Sequence, residues 1–242
     1  MPSVTPSGAV SLPLKYLRDT LAGSSTFRTL VGEETAAAAK RHIRYFGLNL
    51  PAAWSAETAY ALGDWVYATA TGAYLYECTT AGTSGATAPD WPAADGDTVT
   101  DGAAVWTARA VPEGAADDPA AQANAHARLV RPFAMVGVGE EASAQMVAAG
   151  SANEFRYRGA LSLFLEAATP SAYTATRDDA GLWFANRLGA ILGEMAALAG
   201  TPSYLNIVGF QVDSLVRSPE EAREVEGDYF QAEVTVRWQG GA

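Results

Sequence analysis

The sequence predicts an α+β fold, an antiparallel sheet with helices packed on one face, interrupted by a small inserted all-β module. Three observations predict it. Near the C-terminus Phe230, Ala232, Val234, Val236 and Trp238 alternate with Gln231, Glu233, Thr235 and Arg237. That period of two marks a strand with one face in a core and one in water. Further upstream Trp183, Leu188, Ile191, Leu192, Met195 and Leu198 form a broad apolar stripe at helical spacing. Between residues 53 and 108 the composition shifts abruptly to Gly, Thr, Trp and Tyr, with almost no Lys or Arg.

The elements follow in order. Residues 11–22 read as a helix with Ser11 as N-cap and Pro13 in the first turn, ended by Gly23. Ser24 or Ser25 caps a second short helix through Leu30, and the alanine-rich 33–40 is helical. Residues 41–49 alternate well enough for a strand. A Pro, Gly, Ala and Asp loop over 112–123 reads as a tether on the C-terminal side of the module. Strands are expected over 125–138 and 153–167, a long helix over 176–198, a strand over 204–216, an acidic turn or one short helical turn over 219–226 and a final strand over 228–239. Gly189 and Gly193, four apart in the long helix, permit close helix–sheet approach. The domains are then 1–52 joined to 109–242, a discontinuous assembly domain, and the module 53–108. Its sheet lacks obvious closure, and open edges must be covered or paired.

Composition narrows the function. The 242 residues suffice for one large or two small domains, and no apolar run reaches the length of a membrane span. Residues 1–10 lack the pattern of a secretory signal, so a soluble protein is expected. A net charge of −11 discourages contact with phosphate backbones. Lys40, Arg41 and Arg44 form one basic knot, and Arg128 and Arg131 another. Cys78 is the only cysteine, which excludes an internal disulfide, and it reads as a small buried hydrophobe. His42 and His126, the only histidines, read as surface residues on strands, with no catalytic motif around either. Phosphate-loop, dinucleotide and nucleophile-elbow patterns are missing, so no enzyme activity, cofactor or metal is expected. Asp95, Asp97 and Asp101 occupy positions 1, 3 and 7 of a calcium-type loop, but Val99 and Trp106 stand where positions 5 and 12 need carboxylates. They read as turn residues, with Asp-Gly pairs at 95–96 and 101–102.

The module carries the most specific pattern. Trp54, Tyr60, Gly63-Asp64, Tyr74, Tyr76, Gly82-Thr83-Ser84-Gly85, Pro89, Trp91-Pro92, Asp101-Gly102 and Trp106 follow one another in an order hard to reach by chance. This stretch resembles the small β modules, related to chitin-binding domains, that recur in phage tail and fibre proteins. Two roles compete for its aromatics. Trp106, Tyr60 and Tyr76 are expected in the core of the module, whereas Trp54, Trp65 and Trp91 are candidates for stacking on a cell-surface glycan.

The outer domain resembles, more loosely, the tail terminator proteins of long-tailed phages and gene-transfer particles. The resemblance rests on the chain order: the helix at 12–21, the strand at 44–49, the strand at 155–170, the helix around 184–195 and the closing strand at 226–239. It implies a virion protein made in the host cytoplasm. It also implies a homo-oligomeric ring, a hexamer, capping the head-proximal end of the tail tube. Its partners would be the tail tube protein and neck or connector proteins, with DNA passing the lumen without specific binding. Glu233 and Arg237, on the polar face of the last strand, are the candidate subunit-interface residues. The alternative is a carbohydrate-binding adhesion protein acting through the module.

Overall fold

The computed structural model describes residues 8–48, 50–68, 73–111, 119–138, 145–148, 155–173, 177–198, 205–220, 223 and 227–241. Along the chain come α1 (Gly8–Gly23), α2 (Ser25–Leu30), α3 (Ala36–Ala39), a 3-10 turn (Lys40–His42) and β1 (Ile43–Tyr45). Then follow β2 (Ala52–Ala53), β3 (Ala59–Tyr60), β4 (Trp65–Tyr67), β5 (Tyr74–Thr80), β6 (Gly82–Thr83), β7 (Thr98–Asp101) and β8 (Ala104–Ala110). The chain continues through α4 (Pro119–Val130), β9 (Phe133–Gly137), β10 (Gln145–Ala148) and β11 (Phe155–Ala168). It ends with α5 (Arg177–Leu198), β12 (Leu205–Arg217) and β13 (Tyr229–Gly241). The fold class is α+β.

The chain divides into two compact units, one formed by Thr5–Gly47 with Arg131–Ala242 and the other by Leu48–Val130. In the larger unit the strand order is β1-β9-β11-β13-β12, with β10 extending β11. All neighbours are antiparallel except β1 and β9, which run parallel. Parity decides what each strand buries. Leu161, Leu163 and Leu165 of β11 and Phe230, Ala232, Val234, Val236 and Trp238 of β13 share one buried face. Helices cover that face: Leu14, Leu17 and Leu21 of α1, Phe27 of α2, and Phe184, Leu188, Ile191 and Met195 of α5 complete the same core. Phe184 stacks on Phe230 at 5.3 Å.

The helix layer is fastened by a carboxylate. Glu194 of α5 accepts from Ser24 Oγ at 2.8 Å, Ser25 Oγ at 2.9 Å, Thr26 Oγ1 at 2.7 Å and Thr26 N at 3.0 Å. Ser24 is itself the N-cap of α2, accepting from Phe27 N. A short helix presents its unpaired N–H groups, and an acid from a neighbouring helix completes its cap.

Several sequence expectations change. Residues 125–138 are not one strand: α4 occupies the first half and β9 begins only at Phe133. The Ala-rich 120–127 has high helix propensity, and Pro132 separates the two elements. Part of the expected tether is therefore helical, while 112–118 lies outside the described residues, as does most of the segment 219–226. α1 starts at Gly8, so Ser11 lies within the helix and is not its cap. Helix α3 is one turn only, and β1 is three residues long. Gly189 and Gly193 face solvent, with open space where a Cβ would stand, so they do not mediate helix–sheet approach.

The Glu194 network sets a pH dependence. Desolvation raises its pKa, but the hydrogen bonds from Thr26, Ser24 and Ser25 outweigh that and hold it down at about 2. A depressed folded-state pKa contributes stability above the ordinary carboxylate range, and this is lost as pH falls towards 2. Glu194→Gln is expected to lower stability by about 1–3 kcal/mol at neutral pH. The gap in thermal midpoint from the parent chain should narrow steadily between pH 5 and pH 2.

Candidate functional site

The smaller unit is built around one buried carboxylate. Its sheet has the order β2-β4-β5-β8-β7, with β3 and β6 forming a separate pair. Asp101, at the end of β7, is buried and accepts from Trp54 Nε1 at 2.8 Å, Trp106 Nε1 at 3.0 Å and Gly85 N at 2.7 Å. Two indoles and the Gly-Thr-Ser-Gly loop thus converge on one side chain. The loop glycines are demanded by the same approach. A Cβ on Gly82 would lie 2.3 Å from the Ala103 backbone, and one on Gly102 would lie 2.4 Å from the Thr83 oxygen, at a φ of +62°. Ser84 closes the other side, accepting from Thr58 N and donating to the Ser55 carbonyl at 2.8 Å. Asp64 accepts from Ala61 N at 2.7 Å within its turn.

The aromatics pack as a cluster. Trp106 and Tyr76 are fully buried, Tyr60 is half-buried edge-on to Trp106 at 4.7 Å, and Trp91 lies 4.3 Å from the Tyr76 ring. Cys78 is buried in the same core. Of the glycan-stacking candidates, Trp65 is buried and offers no free face. It points into a second small core with Leu75 and Ala125, its ring 5.1 Å from that of His126. Strand β4 presents Trp65 and Val66 to opposite faces, and α4 covers the Trp65 side. His126 is accordingly a buried helix residue, not a strand surface residue. His42 is half-buried in the 3-10 turn, 3.0 Å from Glu33. Trp54 and Trp91 are half-exposed, but their planes meet at 78°, so they form no flat two-ring platform. Any sugar would stack on one ring at a time.

The unit therefore spans 48–130, wider than 53–108, because α4 supplies Ala125, Leu129 and Val130 to its second core. It also carries most of the negative charge. Residues 48–130 hold ten carboxylates against two arginines, a net −8, whereas the remainder holds seventeen against fourteen, a net −3. Phosphorylated or carboxylated ligands are repelled from such a surface, and a neutral sugar is not. Asp95 accepts from Ala110 N, and Asp101 is committed to the indoles, so the loop acids do not converge on a cation. Among the described residues no cluster of three or more His, Cys, Asp or Glu side chains stands where a metal could bind.

In the larger unit Glu233 and Arg237 are exposed on the polar face of β13. Four residues apart in a strand, they stand about 13 Å from each other and do not pair. Arg237 donates to Gln211 Oε1 at 2.8 Å, Gln211 to Asp213 Oδ1 at 2.8 Å, and Thr235 to Asp213 Oδ2 at 2.7 Å, a polar ladder tying β13 to β12. Beside it a trough of ≈ 730 Å³ is lined by Phe46, Met135, Phe164 and Glu233. At the end of the same face Arg131 is paired with Glu166, both side chains 4 % exposed, and Gln231 donates to Glu166 at 2.7 Å. Arg131 also lies 3.7 Å above the Tyr229 ring. The sequence shows Arg131 only as half of a basic knot. Its partner is 35 residues away, and no local pattern announces a buried pair.

No protein-family model matches the chain, and no curated protein matches its sequence.

Asp101 gives the sharpest test of this arrangement. Asp101→Ala leaves three donors without their acceptor, at about 1–3 kcal/mol each. The variant is expected to lose the near-ultraviolet dichroism of its tryptophans, with new protease cleavage confined to 48–130.

Proposed function

We propose that the chain is a structural virion protein, a tail terminator of a long-tailed phage or gene-transfer particle. It assembles as a homo-oligomeric ring on the head-proximal end of the tail tube, ends tube growth and joins tube to neck. One observation carries the reading. The larger unit buries one face of its sheet under helices, exposes Glu233 and Arg237 on the other, and among the described residues leaves the 13-residue edge strand β12 with no strand on its outer side. A ring subunit needs two different surfaces that meet head to tail. The buried carboxylates Asp101 and Glu166 and the half-buried Glu194 are each engaged in structural hydrogen bonds or an ion pair, which supports assembly over catalysis. With the acidic excess in the inserted unit, the near-neutral assembly unit suits a lumen past which DNA slides without specific contacts.

Removing the protein from the producing particle is expected to yield tail tubes of uncontrolled length that do not join heads, as seen by electron microscopy. Resupplying it should restore a single length. Normal, infectious particles without it would overturn the reading.

The half-exposed Trp54 and Trp91 favour a second reading, adhesion to a neutral cell-surface glycan. If it holds, the full chain is retained on insoluble chitin, and Trp91→Ala releases it. Passage of the unaltered chain through the column eliminates this reading.

A further inference from the structure

Strand β12 is an unusual edge. It is 13 residues long, and among the described residues no strand pairs with its outer side. Its sequence, Leu205–Arg217, contains no Lys or Pro, the usual guards of a free edge. Val208, Val212, Leu215 and Val216 are all exposed, at 53, 48, 37 and 48 %. Val212 and Leu215 lie opposite the buried Val234 and Ala232, so they belong to the core face, where Ile207 and Phe210 are packed against the helices. The helix layer stops short of them. Two bulges, at Ile207/Gly209 and Val212/Ser214, twist the strand away from flat stacking without closing it.

The opposite edge of the same sheet is apolar too. Tyr45, Phe46 and Val138 are exposed there, Phe46 at 70 %. The register relates the two edges. Leu215 pairs with Ala232, Ala232 with Leu165, Leu165 with Ala134 and Ala134 with Ile43, one row across the sheet. β12 and β1 run in opposite directions along it. The C-terminal end of β12 therefore lies at the same end of the sheet as the start of β1. Just past β12 stands Glu220, its side chain 76 % exposed. The segment entering β1 carries Lys40, Arg41 and His42, of which Lys40 pairs with Asp19, and Arg41 and His42 with the largely buried Glu33.

We infer that the β12 edge binds the β1 edge of a second copy of this chain, head to tail. A copy set beside β12 in the same orientation brings β1 to it antiparallel. The same placement brings the segment entering β1 towards the end of β12, where Glu220 stands exposed, so strand direction, apolar exposure and charge agree. The chain leaves β1 for the inserted unit at the other end of the strand, past Gly47. Two unlike edges on one subunit give a heterologous contact, which closes into a ring or runs on. The inference rests on the assembly reading proposed above.

Sedimentation velocity of the full chain tests it with two sets of surface changes, Val212→Glu with Val216→Glu, and Phe46→Asn, chosen because Asn tolerates the left-handed φ of 62° at that position. Circular dichroism checks that each is folded. The parent chain is expected to self-associate, and each variant to do so about tenfold more weakly or worse. Mixing the two restores one contact, because each keeps the edge that the other lacks. A parent chain monomeric at every concentration overturns the inference. So does association that survives the β12 changes, or a Phe46→Asn variant that remains dimeric, which would show β12 pairing with itself. Tube length in the particle is read separately, so terminator function can stand while this interface fails.

Discussion

Thirteen consecutive residue pairs between β11 and β13 set the frame on which the larger unit depends. Side chains alternate along a strand, so a slip of one residue would turn the whole apolar set of β13 towards solvent. The register that buries Val234 and Val236 also places Leu163 and Leu161 opposite them, and Phe230 under Phe184. Everything polar on these strands is then forced to the other face. The polar ladder of Arg237, Gln211, Asp213 and Thr235 is a consequence of that choice, as is the buried pairing of Arg131 with Glu166. The second pair is costly to bury, and it is tolerated because Gln231 and the Tyr229 ring engage the charges as well.

The smaller unit solves a different problem. Eighty-odd residues without a disulfide have little interior to spend. Asp101 concentrates what there is, holding two indoles and a loop with one carboxylate, while the glycines at 82 and 102 let backbones meet. The aromatic pattern that suggests a binding surface is, residue by residue, mostly the pattern of this core. Trp54 and Trp91, like Tyr60 and Tyr74, are only partly buried against it.

What could be read in the sequence follows from the range of the interactions. β11, α5 and β13 were legible because each carries a long periodic signal that tertiary contacts reinforce. Cys78, Trp106 and Tyr76 were legible as core because short aromatic strands leave them nowhere else to go. The helical nature of 119–130 was hidden, since Ala127, Leu129 and the run from Phe133 mimic alternation, while the helical pair Ala125 and Leu129 is only one repeat long. Trp65 could not be sorted from Trp54 and Trp91 by spacing, because the helix that buries it lies about 60 residues further on. Long-range bonds such as Glu194 with Ser24 leave no local trace.

The place of the insertion has a topological reason. β1 and β9 are parallel neighbours, so the chain between them must return to the end of the sheet where β1 began. A connection of a dozen residues or more is obligatory at that point, usually a crossover helix. Lengthening it to the 83 residues of Leu48–Val130 would cost about 1.7 kcal/mol in closure entropy even if every added residue were flexible. A folded insertion costs less, since its own contacts fix its ends. Consecutive antiparallel strands such as β12 and β13 need no crossover, so no long connection is required between them. The long connection therefore falls between β1 and β9, while β12 forms the other edge of the sheet.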